Sequence, residues 1–320
     1  MFWRRGAAMP APSMPEQIDI RNLPGYKQAA VIGRAAVKAW LDDHAPSMGA
    51  ALAYYTLFSI APLLLIVISV AGLWFGPEAA RGEIFGQLSG LVGAAGASTI
   101  QDLLQSVNKP AGGVTATLVG LVLMLVGATT VFAELQDALD RIWRAPVRVG
   151  SGLWQLLRTR LLSFGLILGF GFLMLVSLLL SAGLSAIQKW WAPRMVGWEL
   201  MLAIGNQVVS FALVTLMFAM IYKLMPRARI EWRDVAVGSL ATSTLFAWGK
   251  WMIGLYIGTS GISSGFGAAG SLVALLVWVY FSAQIFLLGA EFTWVYAHAL
   301  GSRRHLAVPV SKVLQSKHLH

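Results

Sequence analysis

The chain of 320 residues is 57% hydrophobic and 12% charged, whereas an ordinary soluble domain has roughly 25% charged residues. A soluble protein of this length could not cover so much apolar surface, so the composition predicts a membrane protein. The absence of cysteine excludes disulfides, thiolate metal sites, iron–sulfur clusters and cysteine nucleophiles. The net charge of +10 lies next to apolar segments, where basic residues usually set membrane topology rather than bind nucleic acid.

The N-terminal region predicts two kinds of structure. Residues 1–26 are rich in proline and lack a periodic apolar pattern, so we expect a disordered cytoplasmic tail without the apolar core of a secretory signal. From Tyr26 to Leu41, basic and apolar residues occupy opposite helical faces, which predicts an amphipathic interfacial helix on the inner membrane surface. The polar positions are Lys27, Arg34, Lys38 and Asp42, and the apolar ones are Val31, Ile32, Ala35 and Trp40.

Six apolar segments predict an all-α integral membrane protein. Each reaches about 20 residues, the length that a helix needs to cross about 30 Å of hydrocarbon. A further apolar segment at 84–99 is shorter and rich in glycine and alanine, so we expect an interfacial or re-entrant helix there rather than a seventh span. The six predicted spans are 49–75, 114–132, 161–187, 200–222, 235–257 and 271–296.

The loop charges predict that both termini lie in the cytoplasm. Of the 24 lysines and arginines, 19 fall in the N-terminal region, the second and fourth connections and the C-terminal tail. This bias follows the positive-inside rule, and an even number of spans keeps the two termini on one side. The prediction is a membrane domain at 27–300 followed by a basic cytoplasmic tail at 301–320. The opposite loops hold only Arg81, Lys109, Lys189 and Arg194.

Pro62 lies near the middle of the first predicted span. A proline there removes a backbone hydrogen bond and predicts a kink in the helix. The kink has two interpretations, a fixed bend that shapes the protein or a hinge that moves during a transport cycle.

Lys250 is the one basic residue inside a predicted span, and an ionisable residue at such a position suggests function. Asn206 and Gln207 on the fourth span lie at a comparable depth below the outer face. The three residues predict a polar pocket that attracts anions from outside. The alternative is a lysine that extends to the interface beside ordinary interhelical hydrogen bonds.

Acidic residues collect at the inner ends of the second and sixth spans. Glu134 follows the second span, and Gln284 lies seven residues before Glu291, on the same face of the sixth. Glu291 or Glu134 is a candidate proton- or cation-binding carboxylate in a transport cycle. The alternative is a cluster of ion pairs that locks the helix ends, including Asp140 with Arg144 at helical spacing. The basic residues predicted near Glu291 are Arg158, Arg160, Arg233 and Lys223.

The sequence offers no catalytic constellation, so we expect no enzyme, cofactor or metal. Residues 261–265 fit the Gly-x-Ser-x-Gly pattern of serine hydrolases, but they lie in a predicted outer loop rich in glycine and serine. A serine nucleophile needs a base within hydrogen-bonding distance, and all five histidines fall on the predicted cytoplasmic side. No interleaving of aromatic and basic residues indicates nucleic-acid binding.

Several ordered motifs resemble the YihY/BrkB family. They cover roughly residues 30–300, and one departure is Asp140, where asparagine is more usual. The resemblance implies a six-helix protein of the bacterial inner membrane. The matching segments are Ala50-Ala51-Leu52-Ala53-Tyr54-Tyr55-Thr56-Leu57 with Ser59 and Pro62, Ala138-Leu139-Asp140-Arg141-Ile142-Trp143, Tyr222-Lys223 through Pro226, Gly267-Ala268-Ala269-Gly270, Trp278-Val279-Tyr280 and Leu288-Gly289-Ala290-Glu291.

The family resemblance leaves three classes of function open. Its members were once labelled ribonuclease BN, and relatives are connected with serum resistance and envelope lipid export. We expect a transporter, or a protein that translocates lipids or anions, with membrane lipids as partners and an anionic or lipid-like substrate. A membrane scaffold is the alternative. A nuclease or protease is the least favoured class, since no cluster of metal ligands is present to activate water.

Overall fold

The computed structural model describes residues 24–76, 130–145, 198–259 and 270–303, with isolated positions between 78 and 104 and at 165 and 169. The elements in these ranges are helices, without a strand, which agrees with the predicted all-α class. In chain order they are α1 (Gly25–Asp42), α2 (Ala45–Phe75), α3 (130–142), α4 (Trp198–Leu224), α5 (Trp232–Thr259) and α6 (Gly270–Ala299).

Helix α1 is the amphipathic helix that the N-terminal pattern predicts. Its buried face, Ile32, Ala35, Ala36 and Ala39, packs mainly against α6, while Arg34 on the opposite face is exposed. The alanines let the two helix backbones approach closely. The apolar face of α1 therefore has a protein partner, and its place at the membrane surface stays a prediction.

A tight elbow joins α1 to α2 at Asp43 and His44. His44 has φ 57° and ψ 36°, a left-handed conformation that turns the chain without glycine. Pro46 lies in the first turn of α2, where backbone N–H groups have no acceptor within the helix. The missing N–H of proline therefore costs no helical hydrogen bond. Helix α2 continues through Pro62 to Phe75 and contains the first predicted span. The side chain of Pro62 lies outside the described residues, and the predicted kink is untested.

Two helices in the described part of the chain are long and apolar enough to cross a membrane. They are Gln207–Leu224 within α4 and Leu272–Ala299 within α6, and they coincide with the fourth and sixth predicted spans. Helix α5 covers the fifth. The second and third predicted spans and both tails fall almost wholly outside the described residues, so six spans and cytoplasmic termini stay predictions.

Helix α6 is the centre of the packing and contacts α1, α2 and α5. Glycine permits the closest approaches. A Cβ atom at Gly238 of α5 would overlap the Thr293 side chain, and one at Gly289 of α6 would overlap Thr242 and Tyr222. On the other side of α6, a Cβ at Gly49 of α2 would overlap Gln284. At Gly238 and Gly289 the overlap includes a threonine Cβ atom, so a larger residue would push the helices apart, whereas at Gly49 it involves the flexible amide end of Gln284.

Two hydrophobic cores occupy different ends of this bundle. The larger core surrounds Tyr222 and Leu287 and includes residues of all six helices. The smaller core joins Leu64 and Ile68 of α2 to Leu275 of α6, together with Ile84 and Ile100. The described residues near the 84–99 segment are thus helical and pack on α2 and α6.

The chain beyond α6 stays attached to the bundle as far as Arg303. The Asp234 carboxylate accepts hydrogen bonds from the Ser302 hydroxyl at 2.6 Å and the Ser302 N–H at 3.2 Å. The Arg303 guanidinium donates to the Arg229 carbonyl at 2.5 Å and lies over the Trp143 ring. The start of the predicted C-terminal tail, residues 301–303, is therefore anchored to the N-terminal end of α5.

Gly238→Ala should lower the stability of the bundle by about 1–3 kcal/mol, because the new methyl group would overpack the contact with Thr293. Gly254→Ala on the same helix is the matched control, since nothing lies within 4 Å of its added Cβ. Thermal unfolding of both variants in mild detergent measures the difference. Equal midpoints for the two variants would contradict the proposed close contact between α5 and α6.

Candidate functional site

Glu291 is the most unusual polar residue of the described chain. It lies on α6 with 1% of its surface exposed, and neither carboxylate oxygen has a hydrogen-bond partner among the described residues. An ionised carboxylate that is buried without donors costs several kcal/mol, so such groups are paired, neutral or functional. The environment of Glu291 therefore decides what it can do.

The charged groups nearest Glu291 are mostly acidic. Asp43 at the α1–α2 elbow is its strongest electrostatic neighbour, followed by Arg144 and Asp42. Glu291 thus faces a second carboxyl group, with one arginine as the local positive charge.

The predicted basic partners of Glu291 lie elsewhere or outside the described residues. Arg158 and Arg160 are not described. The Lys223 ammonium donates to the Ile230 carbonyl and lies 5.3 Å from the centre of the Trp232 ring. Arg144, which was expected to pair with Asp140, is the cation near Glu291 instead.

Two residues with left-handed backbone flank the Glu291 site. His44, with φ 57°, forms the elbow next to Asp43, and Arg144, with φ 49°, follows α3. They are the only non-glycine residues with positive φ in the described chain. This conformation costs a side-chain-bearing residue about 1–2 kcal/mol and is often found where function requires a special geometry.

Arg144 is held over an aromatic ring beside the carboxyl pair. Its guanidinium carbon lies 4.6 Å from the centre of the Trp294 ring, a cation–π contact. The Trp294 ring in turn lies 4.5 Å from that of His298, whose Nδ1 is 2.8 Å from the Trp294 carbonyl oxygen. Arg144 itself is exposed, so this contact is the boundary between the buried site and its surroundings.

Gln284 extends the polar face of α6 from Glu291. Its Nε2 donates to the Pro46 carbonyl at 3.3 Å, and its Oε1 has no partner among the described residues. Both Gln284 and Glu291 face the elbow and the start of α2, as their seven-residue spacing predicts. An unpartnered amide oxygen and an unpartnered carboxyl group therefore lie along one helix interface.

Asp140 ties α3 to the loop between α4 and α5. Its Oδ1 accepts the Arg227 N–H at 2.7 Å, and its Oδ2 lies 3.4 Å from the Arg227 Nε. The expected helical pair with Arg144 is absent from the described contacts, because Arg144 leaves the helix in a left-handed conformation. Burial raises the pKa of Asp140, although the N–H and charge of Arg227 act in the opposite direction.

The other candidate residues lie apart from Glu291. Glu134 is half-buried on α3, and burial followed by the charge of Asp137 raises its pKa. Lys250 and Gln207 are exposed on α5 and α4, and no described hydrogen bond joins them. The side chain of Asn206 is not described. The outer pocket of Lys250, Asn206 and Gln207 therefore stays a prediction.

The sequence did not single out Asp43 and did not place Arg144 near Glu291. Asp42 was placed on the polar stripe of α1, and Arg144 was assigned to a helical ion pair. One available signal was the run Asp42-Asp43-His44-Ala45-Pro46, where two acids precede a proline that restarts a helix. No local pattern indicates that this elbow meets α6, which is more than 200 residues later in the chain.

Comparisons with known proteins agree with the membrane character of the helices. A family model described as "Virulence factor BrkB" matches residues 36–311. A UPF0761 membrane protein of Pseudomonas paraeruginosa is 30% identical over 296 residues, covering 89% of this chain and 67% of that protein. A UPF0761 membrane protein of Tolumonas auensis is 29% identical over 264 residues, covering 80% and 82% of the two chains.

The match to some relatives covers only part of their length. A UPF0761 membrane protein of Pseudomonas aeruginosa (strain LESB58) is 30% identical over 275 residues, which is 83% of this chain but 62% of that protein. The chain therefore spans less than two thirds of this relative. No solved structure matches the chain.

Asp140→Asn should keep stability within about 1 kcal/mol, because an amide oxygen can still accept the Arg227 N–H. Asp140→Ala should cost about 1–3 kcal/mol, since it leaves that N–H without its acceptor. Thermal unfolding across pH measures both effects. The pKa of Asp140 in the folded state is raised above its ordinary value of 3.8. The contribution of Asp140 to the free energy of unfolding should therefore decrease as the pH rises past that value, and Asp140→Asn should lack this decrease. Equal losses in the two variants would contradict the assigned role of Oδ1.

Proposed function

This chain belongs to the Virulence factor BrkB family of membrane proteins, and we propose that it is a multi-pass transport protein of the bacterial inner membrane whose cycle includes proton binding at Glu291. The observation that carries the proposal is a fully buried carboxyl group without a hydrogen-bond donor on a helix apolar enough to span a bilayer. Ionisable residues inside spans are expensive and usually belong to ion or substrate pathways.

A proton is the ligand that fits this carboxyl group best. Protonation removes the negative charge that burial disfavours. The ionised carboxylate would need a nearby positive charge, and among the described residues only Arg144 supplies one. No three acidic or histidine side chains of the described residues converge as a divalent cation would require. Proton release at Glu291 therefore favours another conformation, and this preference couples proton movement to a structural change.

The depth of Glu291 suits exchange with one side of the membrane. The residue precedes the end of α6 at Ala299 by eight positions, or roughly 12 Å at about 1.5 Å per residue. The exposed Arg144 lies between the carboxyl group and that end of the bundle. In the predicted orientation this end faces the cytoplasm, so the proton would exchange with the inner side.

The proposed substrate is an anionic, lipid-like molecule. Lys250 is exposed on α5, and the neighbouring Trp248 and Trp251 are 68% and 65% exposed. An exposed ammonium group on a helix that also exposes tryptophans suits contact with a phosphate group at the end of acyl chains. Lys250 would thus contact the substrate, while Glu291 would couple its movement to protons.

Proton flux into proteoliposomes tests the role of Glu291. Vesicles that contain a trapped pH-sensitive dye receive a potassium diffusion potential, and we expect proton entry through the wild type to fall at least about tenfold in Glu291→Gln. Glu231→Gln is the matched control, because Glu231 is exposed just before α5. Wild-type flux no faster than that of empty vesicles would favour the scaffold alternative. Unchanged flux in Glu291→Gln would refute the coupling role.

Anionic lipid binding tests the role of Lys250. Phosphatidylglycerol in excess should raise the unfolding temperature of the wild type more than phosphatidylcholine does, since a ligand at 100 times its Kd adds about 2.7 kcal/mol. Lys250→Ala should lose most of this difference. Lys27→Ala on the exposed side of α1 is the control and should keep it. An equal response to phosphatidylglycerol in both variants would argue against Lys250 as the contact.

A further inference from the structure

We propose that the loop between α4 and α5 binds a lipid with two phosphate groups, the chemistry of cardiolipin, whose acyl chains lie along the exposed start of α5. The loop covers residues 225–231, between the two helices. The inference is independent of proton binding at Glu291 and adds a resident lipid to the bundle. Its starting observation is a group of basic side chains that come from the end of α4, the loop, the start of α5 and the chain after α6.

Two cations bind neighbouring carbonyl groups of this loop. The Lys223 ammonium donates to the Ile230 carbonyl and lies 5.3 Å from the centre of the Trp232 ring. The Arg303 guanidinium donates to the Arg229 carbonyl at 2.5 Å. Consecutive Cα atoms are about 3.8 Å apart, so these two positive charges lie close together on the loop. Neither cation has an ion pair among the described contacts.

The charges around the loop leave an excess of two positive side chains. Asp140 pairs with Arg227 at 3.4 Å, and the Asp234 carboxylate accepts from Ser302. A phosphodiester carries one negative charge, so a lipid with two of them balances the excess, and a lipid with one does not. The five basic residues are Lys223, Arg227, Arg229, Arg233 and Arg303, and the three acidic ones are Asp140, Glu231 and Asp234.

Two guanidinium groups at the loop are available to a headgroup. The side chains of Arg229 and Arg233 are exposed, and no described hydrogen bond or ion pair involves either guanidinium group. A guanidinium group donates two parallel hydrogen bonds to a phosphate. Basic clusters at the cytoplasmic ends of membrane helices are typical sites for cardiolipin headgroups. Arg229 and Arg233 are therefore the residues that contact the two phosphates.

The exposed face of α5 favours a lipid over an acidic protein segment. Trp232 and Leu240 are 57% and 52% exposed, and Ala236 between them is also exposed. Their spacing of four residues places them on one helix face, which starts at the basic loop. An acidic peptide would contact the cations but leave this apolar face uncovered. A lipid covers both, with its headgroup at the loop and its acyl chains along α5.

The proposed lipid site is separate from Lys250. Lys250 follows Trp232 by 18 residues on α5, or about 27 Å at about 1.5 Å per residue. It offers one charge, which suits one phosphate. The loop instead joins Asp140 of α3, Arg303 after α6 and the ends of α4 and α5. A lipid bound there reduces repulsion among the cations and stabilises this junction.

Native mass spectrometry of the purified protein tests the lipid site. Cardiolipin and phosphatidylglycerol are added at equal phosphate content, and the wild type should retain cardiolipin in preference. Arg229→Gln/Arg233→Gln should bind cardiolipin roughly thirtyfold more weakly, because each basic residue beside an anionic headgroup contributes roughly fivefold. Equal retention of the two lipids per phosphate by the wild type would overturn the two-phosphate site.

Three further variants separate the loop from general charge attraction. Lys27→Gln/Arg34→Gln removes the same charge from the exposed side of α1 and should keep the cardiolipin affinity. Arg229→Lys/Arg233→Lys keeps the charge and should retain most of it. An equal loss in the α1 variant would overturn the loop as the site. Trp232→Ala/Leu240→Ala should also weaken binding, and unchanged affinity there would overturn the contact between the acyl chains and α5.

Discussion

The structure depends on how closely α6 approaches three other helices. Glycines at 238 and 289 let α5 and α6 meet without intervening side chains, and Gly49 does the same for α2. Where threonines lie in these contacts, each bonds its own helix: Thr242 donates to the Gly238 carbonyl and Thr293 to the Gly289 carbonyl, both at 2.7 Å. A buried hydroxyl group can thus donate its hydrogen bond to a carbonyl of its own helix. The carboxyl group of Glu291, surrounded by the same packing, cannot.

Three buried acids lie near one end of the bundle, and their surroundings differ. Asp234, 2% exposed, accepts bonds from the N–H and hydroxyl of Ser302, and so fastens the end of α6 to α5. Asp140, 9% exposed, receives the N–H and the charge of Arg227. Glu291 receives no donor from the described residues. The first two have evident structural roles, and this contrast is why Glu291 is the candidate functional residue.

Cation–π contacts organise the same end of the bundle. Arg144 lies over Trp294, Lys223 over Trp232 and Arg303 over Trp143. In each pair a basic residue of a helix end or connection packs on a tryptophan near another helix end. These cations contribute to the strong charge bias of the sequence. The residues that would direct membrane topology thus also fasten the helix ends, and one of them supplies the positive charge next to Glu291.

The sequence by itself determined the helical class and several helix positions, because hydrophobic length and periodicity are local properties of the chain. Helix α1 and the spans in α4 and α6 lie where these patterns predicted them. The shared face of Gln284 and Glu291 also follows from helical spacing alone. The family followed from ordered local motifs and agrees with the match over residues 36–311.

Only the tertiary structure decided which groups meet. Asp43 and Glu291 are separated by most of the chain, and no periodic pattern links an elbow near the N-terminus to the last helix. Arg144 lies near Glu291 rather than pairing with Asp140 as predicted, because its left-handed backbone redirects the chain after α3. Helical spacing does not reveal such a turn. Burial of Glu291 likewise arises from close packing on several sides of α6. Contacts of this kind depend on helix approach in space, and that is set by the whole bundle rather than by any one segment.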